Sequence, residues 1–76
     1  MQLSSLAGKE PGTKWKVLSV EGADAVAQRL MEMGLVGGTV IEVVRLAPLG
    51  DPMHISLLGY HLTIRSSEAR RIRVVP

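Results

Sequence analysis

Apolar and polar positions alternate most cleanly between residues 53 and 65. Met53, Ile55 and Leu57 take turns with His54, Ser56 and Leu58, and Leu62 and Ile64 with His61, Thr63 and Arg65. A period of two marks strands with one buried face. The interruption at Gly59-Tyr60 predicts a hairpin closed by a two-residue type II′ turn, glycine first. Upstream the period changes. Val26, Ala27, Leu30, Met31 and Met33 recur at spacings of three and four, which predicts an amphipathic helix from about Asp24 to Met33 with Gln28, Arg29 and Glu32 on its polar side. Asp24 suits the positive end of that helix. Gly34 suits a left-handed cap, with Leu35 folding back onto the last turn.

Lys14 to Val20 reads as a short strand ended by Glu21-Gly22, and Ile72 to Val75 as another after a single helical turn at Ser66 to Ala69. Thr39 to Leu46 is rich in Val and Ile on both parities, which predicts a strand covered on two sides or bent around a barrel edge. Ahead of these strands lies a turn-rich segment in which Leu3 and Leu6 can anchor onto the body. The loop from Ala47 to Pro52 holds two prolines and a glycine and cannot belong to a central strand. Five short strands, with one short α-helix inserted after the first, would leave much aliphatic surface exposed in a flat sheet. The expectation is an all-β fold: a small five-stranded barrel with the helix plugging one end, one domain over residues 1–76.

Composition narrows the interior. Hydrophobic residues make up 46% of the 76 and mean hydropathy is +0.22, which argues for a folded globule near the lower size limit for a stable core. Only Trp15 and Tyr60 are aromatic, so Val, Leu, Ile, Met and Ala must fill it. Cysteine is absent, which excludes disulfides and thiolate metal sites. The N-terminal residues lack the pattern of a signal peptide, and no apolar run is long enough to cross a bilayer; a cytoplasmic location without direct membrane insertion is expected. Net charge is a modest +2, with Arg65, Arg70, Arg71 and Arg73 forming a local basic patch.

Tests for chemistry mostly fail. The predicted turn pairs His54 with Arg65 and Leu58 with His61, which leaves the two histidines on one face but about 13 Å apart at the usual strand rise. Two ligands of one tetrahedral ion lie far closer. No metal site and no cofactor are therefore expected, with the weaker arrangement of one histidine and a neighbouring carboxylate left open. The acids are dispersed and no serine sits in a nucleophile elbow, so an enzyme is not expected. Gly34-Leu35-Val36-Gly37 matches the GXXG of a KH loop, but a helix cap followed by a tight turn generates the same four residues. With only two aromatics to stack on, nucleic acid is not an expected partner. What remains is Leu46 to Pro52, a rigid loop that either projects apolar side chains for docking or tucks Leu49 into the barrel end.

With these residues in view, the chain resembles the ferrous iron transport protein A (FeoA) family. The likeness rests on Arg29-Leu30 with Met33-Gly34-Leu35, on Gly38, and on Ala47-Pro48-Leu49-Gly50-Asp51-Pro52 followed by Ile55. Leu62-Thr63-Ile64-Arg65, Glu68-Ala69 and Ile72-Arg73-Val74 extend it. The resemblance implies an SH3-like barrel and a non-enzymatic cytoplasmic adaptor that binds and modulates the ferrous iron transporter, a FeoB-like membrane GTPase. Such domains also end iron- and manganese-dependent repressors, so a metal-responsive regulatory domain is the alternative, beside a small barrel binding nucleic acid. The family further implies transition-metal binding, for which these residues supply no ligand cluster. Candidate partner-binding residues are Leu46, Pro48, Leu49, Gly50, Asp51 and Pro52, with Arg29 and Glu32 from the helix; Arg29 can instead pair with Glu32 one turn on.

Overall fold

Alternation and helical period translate into six strands and two helices in a computed structural model that describes residues 4–76. The proposed anchor Leu3 lies outside the described residues. The elements are β1 (Ser4–Ser5), β2 (Lys14–Val20), α1 (Ala25–Glu32), β3 (Val40–Leu46), β4 (Met53–Leu57), β5 (Tyr60–Ile64), α2 (Ser66–Ala69) and β6 (Ile72–Val75). All strands belong to one antiparallel sheet in the order β1-β6-β2-β3-β4-β5. The strand beyond the expected five is β1, which pairs Ser4 with Val74 and Ser5 with Arg73. Two serines carry no alternation, so the pattern could not announce them. Counted in full, α1 follows the second strand.

The core is aliphatic, as the composition required. Leu6, Val17, Leu30, Leu35, Ile41, Val43, Met53, Ile55, Leu57, Ile64, Ile72 and Val74 are buried, and among the described residues no buried residue is polar or charged. Strand β3 corrects the two-sided expectation. Ile41 and Val43 face the core, whereas Val40 is 54% exposed and Val44 also faces solvent. Up to the bulge its second apolar parity is open surface, while Leu46 beyond it packs partly against the core. The register shift between Val43 and Arg45 is a bulge that bends the strand.

Helix α1 begins and ends where its caps dictate. The Asp24 side chain accepts a hydrogen bond from the Ala27 amide at 3.1 Å. At the other end the Leu35 amide donates to the Leu30 carbonyl and the Gly34 amide to the Met31 carbonyl. That pair of bonds is a Schellman motif, and Gly34 occupies its left-handed position at φ 106°. The GXXG match is thereby accounted for by capping: Leu35 is buried in the core, not held in a loop that grips a ligand.

The β4–β5 hairpin differs from expectation by a register step. Leu57 pairs with Tyr60, so the two turn residues are Leu58 and Gly59, both at positive φ (51° and 82°) as a type I′ turn requires. His54 accordingly lies across from Thr63, not Arg65, and Ser56 across from His61. The two candidate registers differ by two residues, so both keep Met53, Ile55, Leu57, Leu62 and Ile64 on one face. Tertiary contact distinguishes them. In the observed register the Tyr60 hydroxyl donates to the Met33 carbonyl at the end of α1.

Candidate functional site

The loop from Leu46 to Pro52 forms a braced projection. Leu46 ends β3 and packs partly against the core. Pro48–Gly50 makes one 3-10 turn, with proline at its start where a missing N–H costs nothing. The Gly50 amide donates to the Ala47 carbonyl at 2.8 Å, and the Ala47 amide to the Pro52 carbonyl at 3.0 Å, closing the base. The Asp51 carboxylate accepts from the Ser66 amide at 3.0 Å and so ties the loop to the start of α2.

At the tip stands Leu49. Its relative exposure is 104%, and its backbone is left-handed at φ 70°, ψ 10°. Of the two readings open from sequence, projection is the observed one; Leu49 does not enter the barrel end. A bulky residue here costs the isolated domain twice, in backbone conformation and in exposed apolar surface.

Beside the loop runs an open groove of ≈ 600 Å³. Val26 and Arg29 of α1, with Met33 at its C-terminal cap, form one wall, Ser67 and Glu68 of α2 another, with Pro52 and Thr63 to Arg65 completing it. Of the eight expected contact residues, the groove thus brings together Arg29 and Pro52. Glu32 does not line it and remains exposed on α1. Arg29 also corrects the local pairing: its guanidinium bonds Glu68 of α2, not Glu32. The Glu68 carboxylate simultaneously accepts from the Arg65 amide at 2.8 Å, so one side chain starts α2 and receives Arg29.

Electrostatics set the groove's character. Arg71 grips Asp24 through two bonds of 2.6 and 2.9 Å, and the guanidinium, aided by the Ala27 amide, lowers the Asp24 carboxyl to about 2. Arg73 holds Glu21 at 2.8 Å and pulls that carboxyl down as well. Two arginines of the basic patch are therefore paired with acids preceding α1. Among the described residues Arg65 makes no ion pair, which leaves one uncompensated guanidinium on the rim. Residues that sequence reasoning missed here are Thr63, Arg65, Glu68 and Arg71. Their signal was present only as a basic patch and an acidic neighbour.

The histidines require the other correction. The separation of about 13 Å followed from the Gly59-Tyr60 turn. With the turn at Leu58-Gly59 they become diagonal neighbours, and His54 Nε2 lies 3.0 Å from His61 Nδ1. Among the described residues no group of three or more histidine, cysteine or acidic side chains is placed to hold a metal. No helix among them is long and apolar enough to cross a membrane.

Comparison with known proteins adds context to this geometry. The family model described as the FeoA domain matches residues 1–76. A fusion of Fe(2+) transport protein A and the Fe(2+) transporter FeoB from Porphyromonas gingivalis is 36% identical over 74 residues; these are 97% of this chain and 8% of that far longer one. A FeoA-like protein from Clostridium acetobutylicum is 37% identical, with a TM-score of 0.90 over 99% of this chain and 87% of that one. FeoA from Stenotrophomonas maltophilia, solved with zinc and described as a procaryotic SH3 domain protein, is 32% identical with a TM-score of 0.83 over 93% and 88% of the two chains. At 17% identity, a manganese-dependent transcriptional repressor shares the fold alone, with a TM-score of 0.87 over 99% of this chain and 37% of that one. The fold is the small, β-rich, SH3-like one.

Proposed function

The chain belongs to the FeoA domain family, and from that premise we propose that it is a cytoplasmic, non-enzymatic adaptor of ferrous iron uptake. It binds the cytoplasmic part of a FeoB-like membrane GTPase through the Leu46–Pro52 loop and the adjoining groove, and modulates transport by contact. The observation that carries this reading is Leu49, an apolar side chain fully exposed on a braced loop in a conformation that penalises any residue bearing a Cβ. Such a residue gains nothing within the domain; it gains by filling a pocket on a partner. Bracing lowers the entropy lost on docking.

The partner's identity is supported by the Porphyromonas gingivalis fusion, in which the two components share one polypeptide. A covalent link raises the effective concentration of one for the other, which serves components that must meet. Pro48, Leu49, Gly50 and Pro52 make the contact in this scheme, while Leu46 and Asp51 support them from below. Arg65 presents an uncompensated positive charge at the groove rim, so the complementary surface is an apolar pocket with an acidic rim. Glu32 is the weakest of the contact residues because it lies off the groove.

The test is capture of this chain by the soluble cytoplasmic region of the transporter. Pro48→Ala/Leu49→Ala should bind much more weakly while keeping wild-type stability. Equal capture by the folded double variant removes the loop from the scheme.

A further inference from the structure

The open face of the β4–β5 hairpin carries a feature that the adaptor reading does not use. His54 is half-buried and His61 exposed, and their imidazoles meet edge to face with centroids 5.1 Å apart and planes at 81°. The approach of His54 Nε2 to His61 Nδ1, 3.0 Å, is an N–H···N bond in which one ring donates and the other accepts. Two imidazolium rings could not share it, since both would be donors.

We propose that His54 and His61 form a two-imidazole clamp for one divalent transition-metal ion, with water in the remaining positions. Two nitrogens bound to one tetrahedral ion at ~2.0–2.1 Å lie about 3.3 Å apart. The observed 3.0 Å is close to that span. A small rotation of either ring opens the pair enough to admit an ion in place of the shared proton. That proton has a place to go: each neutral ring can carry its hydrogen on the other nitrogen, Nδ1 of His54 and Nε2 of His61. Adjacent antiparallel strands hold the two Cα positions, so the chelate is largely prearranged.

Donor chemistry selects the ion. Two imidazoles without thiolate favour Cu²⁺ first, then Ni²⁺ and Zn²⁺, and bind Fe²⁺ more weakly. The site is therefore distinct in preference from an iron-handling one, and it does not depend on the loop and groove. The charged groups nearest the pair are Arg45, across from His54 on β3, Glu42, across from Ser56, and Arg65, two residues beyond Thr63 on β5. These are of opposite sign at a water-exposed face, where screening limits their influence.

The test uses the untagged, full chain titrated with Cu²⁺, Ni²⁺, Zn²⁺ and Fe²⁺ separately. One ion per chain should bind, in the order Cu²⁺ above Ni²⁺ and Zn²⁺ above Fe²⁺. His54→Gln and His61→Gln should each weaken Zn²⁺ binding by about 100-fold, since each removes half of a chelate. Both variants should keep wild-type urea midpoints in EDTA. The wild-type protein gives a readout that needs no variant: Zn²⁺ should shift the imaginable pair of imidazole ¹⁵N resonances, His54 Nε2 and His61 Nδ1, together and saturably. Wild-type affinity in either single variant overturns the clamp, as does a Zn²⁺-induced shift at only one ring.

Discussion

Truncating Leu49 separates the cost of the loop tip from its use. In Leu49→Ala no buried area is lost, because the side chain is fully exposed, and the left-handed backbone is retained. The change in folding stability should lie within ~0.5 kcal/mol. In Leu49→Gly the left-handed penalty of roughly 1–2 kcal/mol is relieved, while the glycine's freedom in the unfolded chain costs about 0.5–1 kcal/mol. The two nearly cancel, so the glycine variant should equal or slightly exceed wild type in urea. Binding behaves differently. Burying one leucine side chain in a partner's pocket contributes about 1.5–3 kcal/mol, equivalent to about 10- to 150-fold in Kd. The soluble cytoplasmic region of the transporter, immobilised and titrated with each variant, should therefore bind Leu49→Ala about 10- to 150-fold more weakly. Leu49→Gly should bind no better than the alanine variant despite its unstrained backbone. Wild-type affinity in Leu49→Ala refutes the argument that the tip is held out for a partner. A large loss of stability in the same variant refutes the premise that the side chain does nothing within the domain.

The helix caps and the core carry further expectations. Gly34→Ala places a Cβ at φ 106° and 2.7 Å from Leu58 Cδ1. The leucine tip can rotate away, so backbone strain dominates, and the net loss should be about 1 kcal/mol after the unfolded-state offset. Urea unfolding checks it, and adding Leu58→Ala should not restore the loss. Ile55→Ala, at a fully buried site in mid-sheet, should cost ~2–5 kcal/mol, read as a large fall in urea midpoint. Asp24 carries the acid dependence. Its carboxyl is lowered from 3.8 to about 2 by Arg71, so the stabilisation is complete above its ordinary value and lost as pH falls towards about 2. Melting temperature should drop through that window. It should drop less in Asp24→Asn, which keeps a capping oxygen but no charge; parallel profiles would contradict the assignment.

Much of the fold was legible because burial is periodic. The bounds of β2, α2 and β6 coincide with the expected segments, and both ends of α1 follow from Asp24 and Gly34. Strand β1 was not legible, since two serines have no pattern and exist as a strand only through β6. The hairpin register was hidden for a different reason. A slip of two residues preserves every inward side chain, and the Leu58-Gly59 turn asks a leucine to take positive φ, which no propensity suggests. One turn residue moved the histidines from a dismissed distance into contact. At the site, the loop was visible as proline, glycine and an apolar tip. The link from Arg29 to Glu68 spans 39 residues and depends on how α1 and α2 meet.

The strand order also governs when this domain can come into being. Strand β6 is the last of the domain's strands to be synthesised, yet it lies between β1 and β2, the first two. Until it leaves the ribosome, those two early strands have no common neighbour and Val17 has no Val74 to face. Assembly of the full sheet thus waits for its last-made strand, and a ribosome stalled before β6 would hold a domain in which nothing joins β1 to β2.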